Sequence, residues 1–199
     1  EDYLDAPCPY CGESVGRTGE LVGRVGLWRF WDEAFMTSPC SGAECVRRMK
    51  ERQRRLDEGE VLRLYHQTSP QIASAIRASG KMIRGSGGIV GGGVYFAESP
   101  RETEWKWEAH HSQCGKEDGI VLECAVRVGR TRKLDRFSED PSLTFARMVA
   151  DGDYDSVYMD RGVCQVPGPA FGKPAGNEVI VYSWDQVSVL GEVPRAPVP

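Results

Sequence analysis

The sequence predicts an α+β domain with a mainly antiparallel sheet, and three observations support this prediction. Segments with strand character outnumber those with helix character, and most lack the alternation of strand and helix that a parallel sheet requires. Two segments begin with Ser-Pro, a typical helix start, at Ser69 and Ser99. The chain of 199 residues is 40% hydrophobic and 27% charged, which is typical of a folded globular domain rather than of a disordered or fibrous chain.

The first elements of this domain are a strand and a helix. The segment VLRLYH, residues 61–66, predicts a strand because it is rich in branched and aromatic side chains. Ser69 is expected to cap the helix that follows, with Pro70 in its first position. Gly80 lies where a left-handed residue would end that helix.

A glycine-rich loop, residues 85–93, separates this helix from the rest of the domain. The short strand VYFA follows the loop, and Ser99 with Glu102 forms a capping box for a second helix that runs to about His111. A long strand is predicted over 119–128, and three shorter ones follow it in YDSVYM, NEVIVYSW and VSVLGEV. In the long strand four side chains are expected to alternate inward: Leu122, Cys124, Val126 and Val128.

The N-terminal part of the chain carries four of the seven cysteines in two pairs. CPYC contributes Cys8 and Cys11, and CSGAEC contributes Cys40 and Cys45. Four thiolates make a tetrahedral zinc site, so we predict a small structural zinc module, with two disulfides or four unrelated thiols as alternatives. The aromatic segment VGLWRFW, residues 25–31, is expected to cover this module, or alternatively to stack on nucleic-acid bases.

A basic run follows the fourth cysteine. Residues 47–55 read RRMKERQRR, with six basic side chains and one acidic one, within a helix predicted over 46–56. One interpretation is a solvated helix face, and the other is a helix that contacts nucleic-acid phosphates. The net charge of −4 argues against a surface that coats nucleic acid generally.

The composition also bears on the compartment. The odd number of cysteines and their crowding near the N-terminus favour a reducing, intracellular compartment, either cytoplasmic or nuclear, over a secreted disulfide framework. No apolar run approaches the roughly 18 residues that a membrane span needs, so no membrane partner is expected. The first residue is Glu1, which predicts a fragment or a processed product.

The glycines of residues 85–93 do not match a phosphate-binding loop. A Walker loop ends in Gly-Lys-Ser/Thr, and no lysine follows Gly93. The spacing GxGxxG fails from Gly85 and from Gly91, and a strand rather than a helix follows. Glycines before a strand still allow a flat ligand to approach the backbone closely.

Five segments resemble, in order and spacing, the catalytic domain of poly(ADP-ribose) polymerases and related diphtheria-toxin-like ADP-ribosyltransferases. The resemblance covers about Val61–Val193 and implies a split, mainly antiparallel sheet of that fold, in a catalytic domain over 58–195. The zinc module and the basic helix, 1–57, lie outside it. The five segments are LYHQTS, SGKMIR, GGGVYFAES, YDSVY and GNEVIVYSWDQV.

The resemblance implies a His-Tyr-Glu site for NAD. By its motifs, His66 would hold the adenosine-side ribose, Tyr95 would stack on nicotinamide, and Glu178 would be the catalytic glutamate. Arg84 resembles the arginine that meets the pyrophosphate, and Thr103 stands where a serine contacts the nicotinamide carboxamide. A carboxylate beside the ribose stabilises the positive charge that develops when the nicotinamide–ribose bond breaks.

The chain departs from the family at three places. Gln67 replaces a glycine that contacts the carboxamide, and with Thr68 it completes the predicted NAD-binding set. A second nicotinamide-stacking tyrosine aligns with Lys106, so a neighbouring tryptophan is expected to take its place, Trp107 in preference to Trp105. The glycine loop is also shorter than in many relatives.

The resulting expectation is an NAD-dependent ADP-ribosyltransferase with a protein or nucleic-acid acceptor and structural zinc. Two alternatives stay open, namely an inactive domain of this fold that binds zinc and nucleic acid, and an NAD glycohydrolase with water as acceptor.

Overall fold

The computed structural model describes residues 6–7, 10–11, 14–15, 42–85, 88–111, 119–134, 143, 145–160 and 177–194. It is an α+β structure, as predicted, and its sheet is mixed rather than purely antiparallel. A two-stranded ladder joins β1 (Ala6–Pro7) to β2 (Ser14–Val15). The main sheet has seven strands: β3 (Val61–Thr68), β4 (Val94–Ala97), β5 (Ile120–Arg127), β6 (Thr131–Lys133), β7 (Ser156–Met159), β8 (Glu178–Val181) and β9 (Val187–Val193).

The strands are ordered β6-β7-β8-β4-β3-β5-β9. All neighbours are antiparallel except β6 and β7, which are parallel. The sheet is joined unevenly, because the ladder between β3 and β4 consists of the single pair Tyr65 and Ala97, whereas β5 pairs with every residue of β3. We call this weakly joined boundary between β3 and β4 the seam.

Four α-helices lie among the described residues. The sequence predicted three of them, two of these from the residues at their ends. Ser69 accepts a hydrogen bond from Ile72 N, and Gly80 is left-handed with φ 67°, so both predicted ends of the second helix are confirmed. The predicted capping box is also present, since Ser99 N donates to Glu102 Oε2 at 2.9 Å. The helices are α1 (Ala43–Glu58), α2 (Pro70–Ser79), α3 (Pro100–His111) and α4 (Phe145–Gly152).

Each face of the sheet carries an apolar core. On the first face, α1 and α4 pack against Val157, Ile180 and Tyr182. On the second face, α2 packs against the long strand β5. The four side chains predicted to alternate inward are all buried there, three from β5 and Val128 just after its end: Leu122, Cys124, Val126 and Val128.

The basic run does not form one solvated face, because three of its arginines turn inward. Arg52 is only 4% exposed, and its guanidinium donates to both carboxylate oxygens of Asp185 at 2.7 and 2.9 Å. Arg55 pairs with Asp155 in the same two-bond way. Arg48 pairs with Asp153 at 2.7 Å. We call these three arginines and three aspartates the α1 anchor.

The remaining basic side chains of this helix face solvent. Arg47 pairs with Glu44 and Glu51, and Arg54 with Glu58, each one turn away. Contact between this run and nucleic acid stays a prediction for the exposed side. Within the described part of the chain, no helix combines the length and the apolar character that a membrane span requires.

Besides the short strands β1 and β2, two elements of the main sheet and its helices were not predicted from the sequence. Helix α4 gives little signal because it is short, although Met148 and Val149 are deeply buried. Strand β6 is a polar three-residue segment, and its parallel pairing with β7 is not visible in its own residues. Helix α1 also begins three residues earlier and ends two later than predicted.

Candidate functional site

Tyr95 and Glu178 emerge from neighbouring strands on the same face of the sheet. In the ladder between β4 and β8, Tyr95 is opposite Ile180 and Ala97 is opposite Glu178. Because side chains alternate along a strand, Tyr95, Ala97 and Glu178 share one face. Glu178 is 4% exposed, so a carboxylate at the start of β8 is held almost entirely out of water.

The phenol of Tyr95 is held by the glycine loop. Its hydroxyl donates to the carbonyl of Gly91 at 2.7 Å and accepts from Val90 N at 3.0 Å. Burial raises the pKa of this phenol above its ordinary value of 10, the hydrogen bond from Val90 lowers it, and the charge of Glu178 raises it further, with a net increase. Tyr95 therefore stays a neutral phenol.

The glycines of the loop are required by close approach to this tyrosine and to the backbone. A Cβ on Gly88 would stand 2.2 Å from the Tyr95 hydroxyl. Gly91 has φ +82°, and a Cβ there would stand 2.0 Å from the carbonyl oxygen of Leu143. Without side chains, this segment can fold tightly over the phenol.

Arg84 lies at the base of the same loop. It is 4% exposed, and its guanidinium donates to the carbonyl of Gly92 at 3.4 Å. The adjacent Gly85 N donates to Gly93 O at 3.1 Å, which closes the loop. The residue predicted to meet a pyrophosphate is therefore a buried cation that also braces the glycine loop.

His66 stands in the seam between β3 and β4. Its Nδ1 is 2.9 Å from the carbonyl oxygen of Tyr95, and a carbonyl carries no proton, so Nδ1–H is the donor. In the neutral ring Nε2 is then the acceptor. This side chain makes a hydrogen bond from β3 to β4, whose backbone ladder has only one residue pair among the described residues. The ring of Phe96 flanks it, with ring centroids 5.8 Å apart.

The three residues of the predicted His-Tyr-Glu set thus come from β3, β4 and β8, which are adjacent in the sheet. Glu178 and Tyr95 share the first face of the sheet. His66 joins them through the main chain of Tyr95 rather than through its phenol.

Beside the seam, Gln67 contacts α3. Its Nε2 donates to Glu104 Oε2 at 3.3 Å, and Glu104 is 0% exposed. Its other amide atom, Oε1, is shielded from solvent and has no hydrogen-bond partner among the described residues. A Cβ on Gly119 would stand 2.8 Å from Gln67 Nε2 and 2.9 Å from Trp107 Cε2, so Trp107 lies close by.

The other predicted NAD contacts are buried near this cluster. Thr103 is buried, and its hydroxyl donates to Pro100 O at 2.7 Å, which leaves the oxygen able to accept. Thr68 is buried at the end of β3. The side chain of Trp105 lies outside the described residues, so the choice of Trp107 as the stacking residue stays a prediction.

Glu104 was not singled out from the sequence. The available signal was its position on α3, because residues 103, 104 and 107 fall on one helix face at the spacing of three and four. That spacing does not say which polar residue on the face is buried.

The four-thiol zinc site stays a prediction, because Cys8, Cys40 and the aromatic segment 25–31 lie outside the described residues. Within the described ranges no group of three or more potential metal ligands occurs. Cys11 is exposed in a turn, and Cys45 is buried near the start of α1. Arg48 donates to the carbonyl of Tyr10, the residue before Cys11, so Tyr10 lies against α1. These contacts place the two described cysteines in the same region.

Comparison with known proteins adds no further assignment, since neither a protein-family model nor a curated protein matches the chain. The chemistry of the seam therefore follows from its own residues and from the resemblance noted in the sequence.

Proposed function

We propose that the protein is an NAD-dependent ADP-ribosyltransferase whose site lies at the seam. One observation carries the proposal: the buried carboxylate of Glu178 shares a sheet face with the Tyr95 phenol, and His66 is bonded to the main chain of that same tyrosine. These are the three residues that the sequence resemblance assigns to NAD. They are separated by up to 112 positions in the chain, and their strands β8, β4 and β3 lie side by side in the sheet.

The reaction breaks the bond between the nicotinamide nitrogen and C1′ of the ribose. The bonding electrons leave with nicotinamide, whose ring nitrogen thereby loses its positive charge. The ribose carbon becomes cationic in the transition state, and Glu178 would stabilise this charge from a site that water does not screen. An oxygen of the acceptor then bonds to C1′, and Glu178 would receive its proton.

The neighbouring groups fit the parts of NAD that the resemblance assigns to them. An imidazole whose Nδ1 already donates to a carbonyl presents Nε2 as an acceptor for a ribose hydroxyl. The aromatic ring of Tyr95 provides a face for the cationic nicotinamide, an attraction of about 0.5–2 kcal/mol. Arg84 supplies a positive charge at the base of the glycine loop, where a pyrophosphate would need one.

The test is release of nicotinamide from NAD by the wild-type chain and by Glu178→Gln. Glutamine keeps the size and hydrogen-bonding reach of the side chain but removes its charge. We expect the rate to fall by about a hundredfold or more, the usual effect of losing a preorganised electrostatic group. Glu60→Gln, at an exposed position before β3, is the matched control and should leave the rate unchanged.

The acceptor is identified by supplying labelled NAD with separate pools of protein, DNA and RNA. Label transferred to one pool defines the acceptor class, and release without transfer identifies an NAD glycohydrolase. If the wild-type chain releases no nicotinamide with any pool, the domain is not an enzyme of this kind.

A further inference from the structure

A side-chain network joins three strands on the face of the sheet opposite to the Glu178 carboxylate. Glu98, the residue after β4, accepts from Asn177 Nδ2 at 3.0 Å and from the Tyr158 hydroxyl at 3.3 Å. Tyr158 packs against the second-face core, whereas Glu178 lies on the first face. One carboxylate thus connects the end of β4 to β7 and to the residue before Glu178.

This network lies where the backbone pairing of β8 begins. Ala97 on β4 and Met159 on β7 both pair with Glu178, and these are the first pairs that β8 makes in either ladder. Among the described residues, Asn177 belongs to neither ladder. Ladder pairing therefore supports Glu178 from the C-terminal side, and the bond from Asn177 to Glu98 supports it from the N-terminal side.

The chemistry of Glu98 suits this bridging position. Its two carboxylate oxygens each accept from a different donor, Oε2 from Asn177 and Oε1 from Tyr158. An amide of the same length has a single acceptor oxygen and could not bind the two donors through separate oxygens. Burial and the charge of Glu98 raise the pKa of the Tyr158 phenol, which therefore stays protonated and able to donate. Glu98 itself is exposed, so its substitution is expected to leave the fold intact.

We propose that Glu98 is a positioning residue that fixes the start of β8, and thereby the place of the Glu178 carboxylate in the site. The inference rests on the proposed function. A carboxylate stabilises a developing positive charge best when it is held in place before the reaction begins. Glu98 acts through Asn177 and Tyr158, from the opposite face of the sheet, rather than by touching the substrate.

The first experiment needs no substrate and follows hydrogen exchange of backbone amides by NMR. Glu98→Ala loses both hydrogen bonds, so the amides at the start of β8 should exchange faster than in the wild type, while those of β5 keep their rates. Glu58→Ala is the matched control, because this exposed carboxylate also binds a side chain, Arg54 at 2.8 Å, on α1. Unchanged exchange at the start of β8 in Glu98→Ala overturns the inference.

The second experiment measures kcat and KM for the release of nicotinamide from NAD. Glu98→Ala should lower kcat by about tenfold with KM unchanged, since misplacing a catalytic group by about 1 Å can cost up to about a hundredfold. Glu98→Gln keeps one acceptor oxygen and should lose less. In a chain that already carries Glu178→Gln, Glu98→Ala should lower kcat no further, because the charge that it positions is gone. A full tenfold loss in that background would show that Glu98 acts elsewhere and overturns the inference.

The two experiments separate this inference from the proposed function. A wild-type chain that releases no nicotinamide contradicts the proposed function, and hydrogen exchange still decides whether Glu98 holds the start of β8. An active wild type whose kcat is unchanged in Glu98→Ala overturns the inference and leaves the proposed function standing. Thermal unfolding shows that each variant is folded, and Glu98→Gln replaces Glu98→Ala in both experiments if the alanine variant is not.

Discussion

The α1 anchor and the seam are both buried and polar, and they differ in how their hydrogen bonds are completed. In the anchor, Arg52 and Arg55 each bind an aspartate through two bonds, so charge meets opposite charge within the chain. At the seam, Tyr95 and His66 bind backbone atoms, and Gln67 Oε1 has no partner among the described residues. Two-bond pairs between opposite charges hold the elements of the anchor together, whereas the seam residues Tyr95 and His66 are held by bonds to the backbone.

One aspartate of the anchor, Asp155, contacts side chains of α1 and the backbone just before β6. Asp155 is 1% exposed and binds Arg55 at 2.8 Å, with Arg52 Nε at 3.8 Å. It also accepts from the backbone of Arg130 at 2.8 Å, just before β6. The anchor therefore fixes α1 against the ends of β6 and β7.

The largest effect is expected from breaking the anchor. Arg52→Met keeps the apolar stem but leaves the largely buried Asp185 carboxylate without the guanidinium that binds both its oxygens. Removing one partner of a buried ion pair typically costs 3–5 kcal/mol, so we expect a loss of about that size in the free energy of unfolding, measured with urea. Arg54→Met, on the exposed side of α1, should change it by less than about 0.5 kcal/mol. Equal effects of the two substitutions would show that the buried charges do not anchor this helix.

A smaller effect is expected from the seam. Tyr95→Phe removes the hydroxyl that binds Val90 N and Gly91 O, and leaves a buried N–H without its acceptor. The expected cost is about 1–3 kcal/mol in the free energy of unfolding. The KM for NAD should also rise, because the glycine loop loses its attachment. Tyr158→Phe, whose hydroxyl binds the exposed Glu98, is the control and should change stability little. A Tyr95→Phe chain as stable as that control would contradict a bracing role for this phenol.

The smallest effect is expected from acid, and it should also arise in the anchor. Burial alone would raise the pKa of Asp185, but the hydrogen bonds and charge of Arg52 outweigh burial and lower it below the ordinary value of 3.8. Since the folded pKa lies below the unfolded one, this pair stabilises the protein above pH 3.8, and the contribution is lost as pH falls through the folded value. Unfolding free energies measured at pH 7 and pH 3 should therefore differ more for wild type than for Arg52→Met. The same difference in both chains would assign the acid sensitivity to other carboxyl groups.

The sequence was sufficient wherever the structural signal is local. The cap of α2 joins Ser69 to Ile72, and the capping box of α3 joins Ser99 to Glu102, so each lies within four residues. The alternation of β5 is likewise visible in consecutive residues. Resemblance across the chain added His66, Tyr95 and Glu178 as candidates without placing them in space.

The sequence was insufficient where a side chain's partner lies far along the chain. The sequence gives no reason to distinguish the arginines of residues 47–55 from one another. Only the packing of α1 on the sheet makes Arg52 buried and Arg54 exposed. Gln67 differs from the glycine of the family that the sequence resembles, and only the fold places its amide against Glu104.

The sequence by itself therefore determined the α+β class, the helix ends and the candidate residues of the site, because caps and alternation depend on neighbours a few residues apart. The tertiary structure decided which charges are buried and which acceptor is open. Those properties depend on contacts across 133 residues, from Arg52 to Asp185, and across 37, from Gln67 to Glu104. Burial and pairing depend on which distant segments the fold brings into contact, and no local sequence pattern specifies those contacts.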